Sequence, residues 1–318
     1  MIEKRIIDKV NDAENIAILP HVSVDGDALG SSLALALALE KAGKNSKIYI
    51  EEEIPAIYEF LPVKEYVEVY KPDEQKYDLV IALDTGDLER LGKRVDIFNS
   101  TPFTINIDHH TTNTEFALLN HVKPTAAAVG EMMYDLIKLM GICLDENIAT
   151  CLYVAIATDT GGFRYSNTTP LTHQITADLI NNGANVSMIS QLVFETVPLK
   201  KVKLMGLAID TIEIFEGGKV AFITITNDMI KEAGADDEDS DGLVNIARNV
   251  NGVEVAVLIK QKSDNEFKIN FRSQSYVDVS AIANKYSGGG HKKAAGCTVK
   301  GNMEEIKGMI NKDIREVL

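Results

Sequence analysis

The sequence has few cysteines, no long apolar run and a deficit of positive charge. Its 318 residues include three cysteines, which show neither even pairing nor a C-x-x-C spacing; this disfavours a disulfide framework or a thiolate zinc cluster. The opening MIEKRIIDKV carries no apolar signal core, and no apolar run approaches the length of a membrane-spanning helix. We therefore expect a cytoplasmic protein without a membrane partner.

Acidic residues outnumber basic ones. The chain has 47 Asp and Glu against 32 Lys and Arg, which gives a formal net charge of −15. Proteins that coat duplex nucleic acid neutralise many phosphates with Lys and Arg, so this balance argues against binding of a long duplex. It is compatible with one or two phosphates held in a local pocket. The charge therefore predicts a small anionic substrate or a short strand.

The pattern of apolar runs predicts an α/β protein of two domains. Short β-rich runs alternate with helical patterns in the first part, which is typical of a doubly wound, mainly parallel sheet. After Pro198 a helical stretch is expected, and the strand pattern then restarts as in a smaller α/β domain with a mixed sheet. The predicted division is a first domain at 1–195, a helical connector at 196–212 and a second domain at 213–318. We expect the active site in a cleft between the two domains.

Carboxylates and histidines follow four of the apolar runs. The segments are ILPHVSVDGDALG, YDLVIALDTGD, FTINIDHHTTN and YVAIATDTGGF. Ligands of open α/β sheets bind outside the carboxyl ends of the strands, so we expect these segments to converge on one crevice. Several acids together there need cations to neutralise them. The six candidate metal ligands are His21, Asp25, Asp27, Asp84, His109 and Asp159.

The residue types in this set indicate which metal to expect. Carboxylates and imidazoles without a thiolate favour Mn²⁺, Mg²⁺ or a similar divalent ion over structural zinc. Two histidines and four aspartates can hold two ions with one bridging carboxylate. We expect two Mn²⁺ ions, with Mg²⁺ or Co²⁺ as alternatives. A single Asp after a strand is more often a helix cap or a turn residue, and Asp27 and Asp87 are candidates for that role.

The motifs HVSVDGD, ALDTGD, IDHH and the aspartate of ATDTGGF resemble the successive motifs of the DHH phosphoesterase family. YSGGGHKKAAG at 286–296 resembles the glycine-rich signature of the DHH-associated C-terminal domain. Together these resemblances cover nearly the whole chain. They imply two sets of ion ligands that share Asp84 as a bridge. The first set is His21, Asp25 and Asp84, and the second is Asp27, Asp84, His109 and Asp159.

The resemblance also implies which residues surround the ions and hold the substrate. Asp108 would orient a neighbouring group, and His110 would face the scissile phosphate. Glycine amides can approach a phosphate closely because no Cβ intervenes, although three glycines alone more often form a flexible turn. The guanidinium of Arg272 suits a terminal phosphate, although this arginine can also be a surface strand residue. The expected substrate-binding residues are Arg272, Ser273, Gly288, Gly289, Gly290 and His291.

The reaction implied by the resemblance is two-metal hydrolysis of phosphate esters without a protein nucleophile. The implied substrates are short oligoribonucleotides, from dinucleotides to pentanucleotides, which would yield 5′-mononucleotides. The same site would remove the 3′-phosphate of 3′-phosphoadenosine 5′-phosphate (pAp) to give AMP. The expected partners are therefore short RNA, pAp or related small nucleotides, and a homodimer is an assembly state to be tested.

Three other functions remain as alternatives at this stage. A phosphodiesterase for cyclic di-AMP or its linear product pApA would carry nearly the same motifs. A manganese pyrophosphatase is disfavoured because the basic S-R-K-K-Q motif is absent, while GGGHKKAAG is present. A catalytically inert RNA-binding protein is disfavoured because such a protein has no need of the complete ligand set.

Overall fold

The computed structural model describes residues 2–62, 65–72 and 76–318. The chain falls into two compact units, unit 1 up to Thr196 and unit 2 from Val197 to Leu318. Within the described ranges, no helix is both long enough and apolar enough to cross a membrane.

Unit 1 contains a six-stranded sheet in which all neighbouring strands are parallel. Its strands are β1 (Asn15–Pro20), β2 (Asn45–Ile50), β3 (Val67–Val69), β4 (Leu79–Leu83), β5 (Thr104–Asp108) and β6 (Leu119–Val122). They lie in the order β3-β2-β1-β4-β5-β6. The strand order reverses direction at β1, so the carboxyl ends of β1, β4 and β5 lie side by side, where ligands of such sheets bind.

The helices of unit 1 connect and cover these strands. They are α1 (Ile2–Asp12), α2 (Gly26–Lys41), α3 (Val95–Ser100), α4 (Val129–Leu139), α5 (Glu146–Asp159), α6 (Pro170–Asn181) and α7 (Val186–Ser190). Every residue of α2 from Gly26 to Leu39 is buried, which explains why its sequence has no polar face. A Cβ on Gly30 would lie 2.5 Å from the carbonyl oxygen of Cys151, so the glycine permits close approach of α2 to α5.

A fully buried arginine fixes the end of the strand that precedes His21. Arg94 Nη1 donates to the carbonyl oxygens of Pro20 at 2.8 Å and Tyr49 at 2.7 Å, and Nε donates to the carbonyl oxygen of Leu91 at 3.1 Å. Burial lowers its pKa to about 10. A guanidinium can donate to several carbonyls at once, so Arg94 ties the carboxyl ends of β1 and β2 together.

Unit 2 contains a second six-stranded sheet of mixed direction. In chain order its elements are α8 (Leu199–Ile209), β7 (Glu213–Phe215), β8 (Val220–Ile225), α9 (Asn227–Ala233), α10 (Val244–Arg248), β9 (Val255–Ser263), β10 (Glu266–Ser273), α11 (Val279–Lys285), β11 (Gly289–His291), β12 (Ala294–Lys300) and α12 (Met303–Arg315). The strand order is β11-β12-β10-β9-β8-β7. Only β8 and β9 pair in parallel among these strands. Helices pack on both sides, and each side has its own apolar cluster.

The predicted fold class is confirmed: a unit with a doubly wound parallel sheet precedes a smaller α/β unit with a mixed sheet. One local expectation was wrong. The glycine run does not form a flexible turn throughout, because Gly289–His291 is strand β11 paired with β12. Asp159 is the last residue of helix α5. Five elements have no predicted counterpart, namely α1, α3, β6, α9 and β11.

Candidate metal centre

The predicted ligands lie at the ends of neighbouring elements of unit 1. His21 follows β1 and Asp84 follows β4, while His109 follows β5. Asp84 has a positive φ of 54°, a conformation that is uncommon for non-glycine residues. Asp25 is the N-cap of α2, and its Oδ1 accepts hydrogen bonds from the N–H groups of Asp27 and Ala28. The candidate cap Asp27 is therefore not the cap, but lies in the first turn of the helix.

The first group of ligand atoms surrounds His21. Its Nε2 lies 3.5 Å from Asp25 Oδ2 and 3.6 Å from Asp84 Oδ2. One candidate ligand atom from each of these residues lies within 4.8 Å of the others. His21 and Asp84 are each 3% exposed, whereas the side chain of Asp25 is 56% exposed. The group is therefore open to solvent on the Asp25 side.

The second group of ligand atoms surrounds His109. Its Nε2 lies 3.6 Å from Asp84 Oδ1, 3.6 Å from Asp159 Oδ2 and 4.0 Å from Asp27 Oδ2. Asp84 thus presents one carboxylate oxygen to each histidine, Oδ2 to His21 and Oδ1 to His109. This is the arrangement that a carboxylate bridging two ions requires.

Asp27 is almost wholly buried, and its hydrogen bonds connect the centre to the start of α4. Its Oδ2 accepts a hydrogen bond from the N–H of Val129 at 2.7 Å, and its Oδ1 accepts from the N–H of Gly130 at 2.9 Å. Ser31 Oγ donates to the same Oδ1 at 3.0 Å. Since the N-terminus of a helix stabilises negative charge, α4 favours the ionised form of this carboxylate.

The two histidines have their outer ring nitrogens engaged by backbone carbonyls. His21 Nδ1 is 2.6 Å from the carbonyl oxygen of Val22, and His109 Nδ1 is 3.1 Å from that of Ala126. A carbonyl oxygen can only accept, so each Nδ1 carries the proton in these contacts. This leaves Nε2 of each ring facing the carboxylates, which is the orientation of metal-binding histidines.

The cluster concentrates negative charge that its own residues do not neutralise. Burial lowers the pKa of His21, but its contacts with Asp25 and Asp84 outweigh burial and raise the pKa to about 10. Burial and the charges of Asp84 and Asp159 raise the pKa of Asp27 well above its usual value. Burial is also the main factor that raises the pKa of Asp159 to about 6. The raised pKa values of Asp27 and Asp159 mean that these carboxylates resist ionisation, and His21 retains its proton beside them. Both effects indicate a site that needs added positive charge.

One atom at the middle of the cluster supports the same conclusion. Asp84 Oδ1 is buried and has no hydrogen-bond partner among the described residues. A buried carboxylate oxygen without a partner is costly unless a cation contacts it. The donor set of oxygen and imidazole nitrogen therefore fits divalent metal ions.

Asp108 and His110 form a hydrogen-bonded pair beside the cluster. His110 Nδ1 is 2.7 Å from Asp108 Oδ1 and 3.6 Å from Asp84 Oδ1. The hydrogen bond to Asp108 outweighs burial and raises the pKa of His110. Burial raises the pKa of Asp108, but its hydrogen bonds to His110 and Asn113 outweigh burial and lower it. The hydrogen bond therefore favours the state in which His110 is protonated and Asp108 is ionised.

The predicted substrate-binding residues all lie in unit 2, and they differ in exposure. Arg272 is near the end of β10, with Nη1 donating to the carbonyl oxygen of Phe271 at 3.0 Å. His291 is exposed on β11. Ser273 is 4% exposed, and its hydroxyl donates to Glu254 Oε1 at 3.1 Å, so this side chain supports the end of β10.

The glycines of the predicted phosphate loop also have structural reasons to lack a side chain. A Cβ on Gly288 would lie 2.2 Å from the carbonyl oxygen of Gly296, and one on Gly290 would lie 2.5 Å from that of Ala294. Gly290 also has a φ of 138°. Gly289, by contrast, has no atom closer than 3.9 Å to its ideal Cβ. Close packing against β12 therefore accounts for two of the three glycines, and phosphate binding by this segment stays a prediction.

Several residues that shape the centre were not predicted. Asn113 Nδ2 donates to Asp108 Oδ2 at 2.5 Å and to Asn106 Oδ1 at 2.8 Å. Glu131 Oε2 accepts from the N–H of Ala127 at 3.0 Å and holds the start of α4. The Asn of the segment DHHTTN was visible in the sequence, but its contact with Asp108 depends on a turn that the spacing does not specify.

Comparison with known proteins identifies the class of both units. The DHH family N-terminal domain matches residues 15–156, and the DHHA1 domain matches residues 217–316. The chain belongs to the DHH family of phosphoesterases, hydrolytic enzymes that use divalent metal ions.

Relatives of known name align over nearly the whole chain. The bifunctional oligoribonuclease and PAP phosphatase NrnA of Thermus thermophilus is 37% identical over 95% of this chain and 90% of its own length. The protein of the same name from Bacillus subtilis is 29% identical over 90% of each chain.

Two solved structures have a similar fold. An exopolyphosphatase-related protein from Bacteroides fragilis superposes with a TM-score of 0.92 at 26% identity, covering 99% of this chain and 96% of its own. RecJ of Thermus thermophilus shares the fold with a TM-score of 0.53 at 13% identity, covering 98% of this chain and 53% of its own.

Proposed function

We propose that this enzyme hydrolyses short oligoribonucleotides, from dinucleotides to pentanucleotides, to 5′-mononucleotides and removes the 3′-phosphate of pAp to give AMP. The observation that carries the proposal is the double cluster around Asp84, whose two oxygens face His21 and His109 separately. The names of the relatives, which align along both units, support the choice of substrates. Mn²⁺ is the proposed ion, with Mg²⁺ and Co²⁺ as alternatives.

The residues of the centre have separate proposed tasks. His21, Asp25 and Asp84 would hold one ion, and Asp27, Asp84, His109 and Asp159 would hold the other. Two such ions supply positive charge that acidifies water and neutralises phosphate oxygens.

His110 is the proposed group that acts on the substrate directly. Its Nδ1 is held by Asp108 and its side chain is 35% exposed, so the ring is fixed but accessible to a phosphate ester. A protonated His110 can donate to a phosphate oxygen or to the leaving 3′-oxygen. Asp108 fixes the orientation of the ring and stabilises its charge.

Residues of unit 2 are proposed to bind the other end of the substrate. Arg272 offers a planar pair of donors to the 5′-phosphate. The backbone of Gly289 and Gly290 and the imidazole of His291 are further proposed donors, since the β11 segment is exposed. The predicted donor Gly288 is not available in this way, because its N–H donates to the carbonyl oxygen of Ala283 at 3.0 Å. A substrate with phosphates at two ends, such as pAp, then needs both sets of contacts for full affinity.

The test is a panel of substrates with Mn²⁺ and a pair of matched variants. The panel contains pAp, pApA, cyclic di-AMP, pyrophosphate and 5′-phosphorylated RNAs from dinucleotides to long oligonucleotides. Loss of an outer contact of a metal site typically reduces activity about 10- to 100-fold. Asp84→Asn removes a proposed ligand itself, so it should reduce kcat on pAp and dinucleotides by more than this. The control is Asp87→Asn on the same loop. Asp87 Oδ1 accepts from the N–H of Arg90 and Asp87 belongs to neither ligand group, so this variant should retain activity.

Different outcomes would reject different parts of the proposal. Cyclic di-AMP as clearly the best substrate would replace it with the cyclic dinucleotide alternative, and rapid release of phosphate from pyrophosphate would favour a pyrophosphatase. Activity on short RNA that survives Asp84→Asn would contradict the role of the metal centre.

A further inference from the structure

The sheet of unit 2 has one face that is covered over only half its width. On β10, Phe267, Ile269 and Phe271 point into the apolar cluster beneath α11 and α12, so the alternating residues lie on the opposite face. Helices α8 and α10 cover that opposite face over β8 and β9. Over β10 and β12 the face is most accessible at one end, where Lys268 and Thr298 are exposed, whereas Asn270 and Arg272 are half-buried.

The accessible half-face carries a row of polar side chains. Lys268, Asn270 and Arg272 are alternate residues of one strand and point to the same side. The residues of β12 that pair with these three have small side chains or none, so space remains over this face of β12. The pairs across the two strands are Lys268 with Thr298, Asn270 with Gly296 and Arg272 with Ala294.

A cavity of about 480 Å³ lies at the Lys268 end of this row. Lys268, Thr298 and Ser287 are among the residues that line it, and Tyr286 borders it from the side of the apolar cluster. The hydroxyl of Tyr286 is engaged elsewhere, since it donates to Asp313 Oδ2 at 2.5 Å. In the described part of the chain Lys268 has no ion pair and no hydrogen bond through its side chain. An unpaired cation in a cavity of an acidic protein is a binding group for an anion.

The spacing along β10 limits what can reach both cations. Arg272 and Lys268 are four residues apart, which is about 13 Å along an extended strand. A ligand that contacts both must therefore be longer than a single nucleotide. One step further along the same face is Glu266, whose Oε1 lies 3.7 Å from Lys300 Nζ. Glu266 and Lys300 neutralise each other, so the row offers no unpaired cation beyond Lys268 to a longer polyanion.

We propose that Lys268 and its cavity form a subsite for a further nucleotide of a single-stranded substrate, beyond the phosphate held at Arg272. This inference rests on the proposed function and adds a determinant of substrate length to it. Lys268 binds the phosphate of that nucleotide, and Thr298, which is exposed directly opposite Lys268 on β12, donates a hydrogen bond to it. Substrates that end at Arg272, such as pAp, do not use the subsite.

The test compares Lys268→Gln with Lys312→Gln in the full-length enzyme. Lys312 is the matched control, since it is exposed on α12, which packs against the other face of the sheet. The primary measurement is calorimetric binding of a 5′-phosphorylated tetranucleotide with phosphorothioate linkages, which keep the charge and resist hydrolysis. Lys268→Gln should weaken this binding about fivefold to tenfold, the effect of one charge-assisted contact. It should also reduce the slope of log K against log salt by about 0.7, as expected for one phosphate of a single strand.

The kinetic measurement separates this inference from the proposed function. Lys268→Gln should leave KM and kcat for pAp unchanged and raise KM for tetranucleotides, while Lys312→Gln should change none of them. If Lys268→Gln raised KM equally for pAp and for the tetranucleotide, the subsite would be overturned. Unchanged calorimetric binding of the tetranucleotide would overturn it as well. A wild-type enzyme that turns over neither pAp nor dinucleotides would reject the proposed function instead, and the calorimetric comparison would still decide the subsite.

Discussion

At the scale of single residues, Asp108 is a fully buried carboxylate whose two oxygens contact different partners. Oδ1 holds His110 Nδ1 at 2.7 Å, and Oδ2 accepts from Asn113 at 2.5 Å. Asp108→Asn removes the charge that orients His110 and favours its protonation, so we expect kcat on pAp to fall about 10- to 100-fold, an effect of the size that outer contacts of metal sites have. Steady-state kinetics with saturating Mn²⁺ measures this.

The structure also predicts what this substitution leaves unchanged. Because Asp108 is not in either ligand group, calorimetric Mn²⁺ affinity should stay close to that of the wild type. Asp96→Asn, an exposed aspartate in the first turn of α3, is the control and should retain full activity. Wild-type kcat in Asp108→Asn would mean that His110 needs no orienting partner.

Glu254 is a second buried carboxylate, and it predicts a pH-dependent contribution to stability. It is 5% exposed and accepts hydrogen bonds from Ser273 and Ser275 and from the N–H groups of residues 275–277. Burial raises its pKa, but these hydrogen bonds outweigh burial and lower the pKa from 4.5 to about 2. A carboxyl whose pKa is lower in the folded state stabilises that state at pH values above its pKa in the unfolded chain. For Glu254 this stabilisation is lost as the pH falls from 4.5 through about 2.

Glu254→Gln should therefore lower the free energy of unfolding at pH 7 by about 2–3 kcal/mol. The difference from the wild type should narrow as the pH is lowered below about 4.5. Urea unfolding of both proteins at several pH values measures this difference. Glu305→Gln, on an exposed glutamate of α12, should show no such narrowing. A deficit in Glu254→Gln that stays constant down to pH 3 would assign the effect to packing and not to charge.

At the scale of secondary structure elements, the contact of α2 with α5 sets the geometry of the metal centre. Asp27 lies in the first turn of α2, and Asp159 is the last residue of α5. A Cβ on Gly30 would lie 2.5 Å from Cys151 O and 3.1 Å from Ala155 Cβ. Since a backbone carbonyl cannot rotate away as a side chain can, the helices must separate to admit a methyl group.

Gly30→Ala should therefore destabilise the protein, although alanine is the better helix former. Overpacking typically costs about 1–3 kcal/mol, which exceeds the gain of about 1 kcal/mol from replacing glycine in a helix. Thermal unfolding measures the net effect, and Mn²⁺ affinity should fall with it because Asp27 moves relative to Asp159. Gly308→Ala in α12, where no atom lies within 4 Å of the ideal Cβ, should be stabilising. A stabilised Gly30→Ala protein would show that α2 and α5 can separate at no cost.

The same elements show what the sequence could and could not predict. Runs such as NIAILP and LVIALD are apolar because both faces of their strands are buried, and so these strands were predictable. Strand β6 has only one buried residue, Leu119, because it is an edge strand, and its pattern resembles that of a loop. Strand β11 is made of two glycines and a histidine, so only its pairing with β12 creates it.

The grouping of the candidate ligands was predictable for a chemical reason, whereas their surroundings were not. Aspartates and histidines grouped after buried runs are costly without a cation, so their residue types indicate the chemistry. The sequence does not show that Asp25 and not Asp27 caps α2, or that Arg94 binds the ends of β1 and β2. Both features depend on distances that arise only after folding. Lys268 and Thr298 of the cavity are likewise brought together by strand register.

At the scale of the whole molecule, the proposed ion ligands all belong to unit 1, whereas the proposed substrate contacts at Arg272 and β11 belong to unit 2. Metal binding should therefore stabilise the two units unequally. Ions that bind only the folded centre add stability of about 2.7 kcal/mol at a free concentration of 100 times Kd. Hydrogen exchange measured by mass spectrometry, with Mn²⁺ and with chelator, resolves where this stability appears.

Mn²⁺ should slow exchange in the segments around β1 and the start of α2, after β4 and β5, and at the end of α5. These segments carry the crowded carboxylates, whose mutual repulsion promotes local opening when no cation offsets it. Exchange in β10, β11 and β12 should respond to pAp and not to Mn²⁺ alone. Asp84→Asn should abolish the response of unit 1 to Mn²⁺ while leaving exchange in unit 2 unchanged, because Asp84 is the only proposed ligand shared by both groups. Protection by Mn²⁺ that was confined to unit 2, or that persisted in Asp84→Asn, would require ligands other than those around His21 and His109.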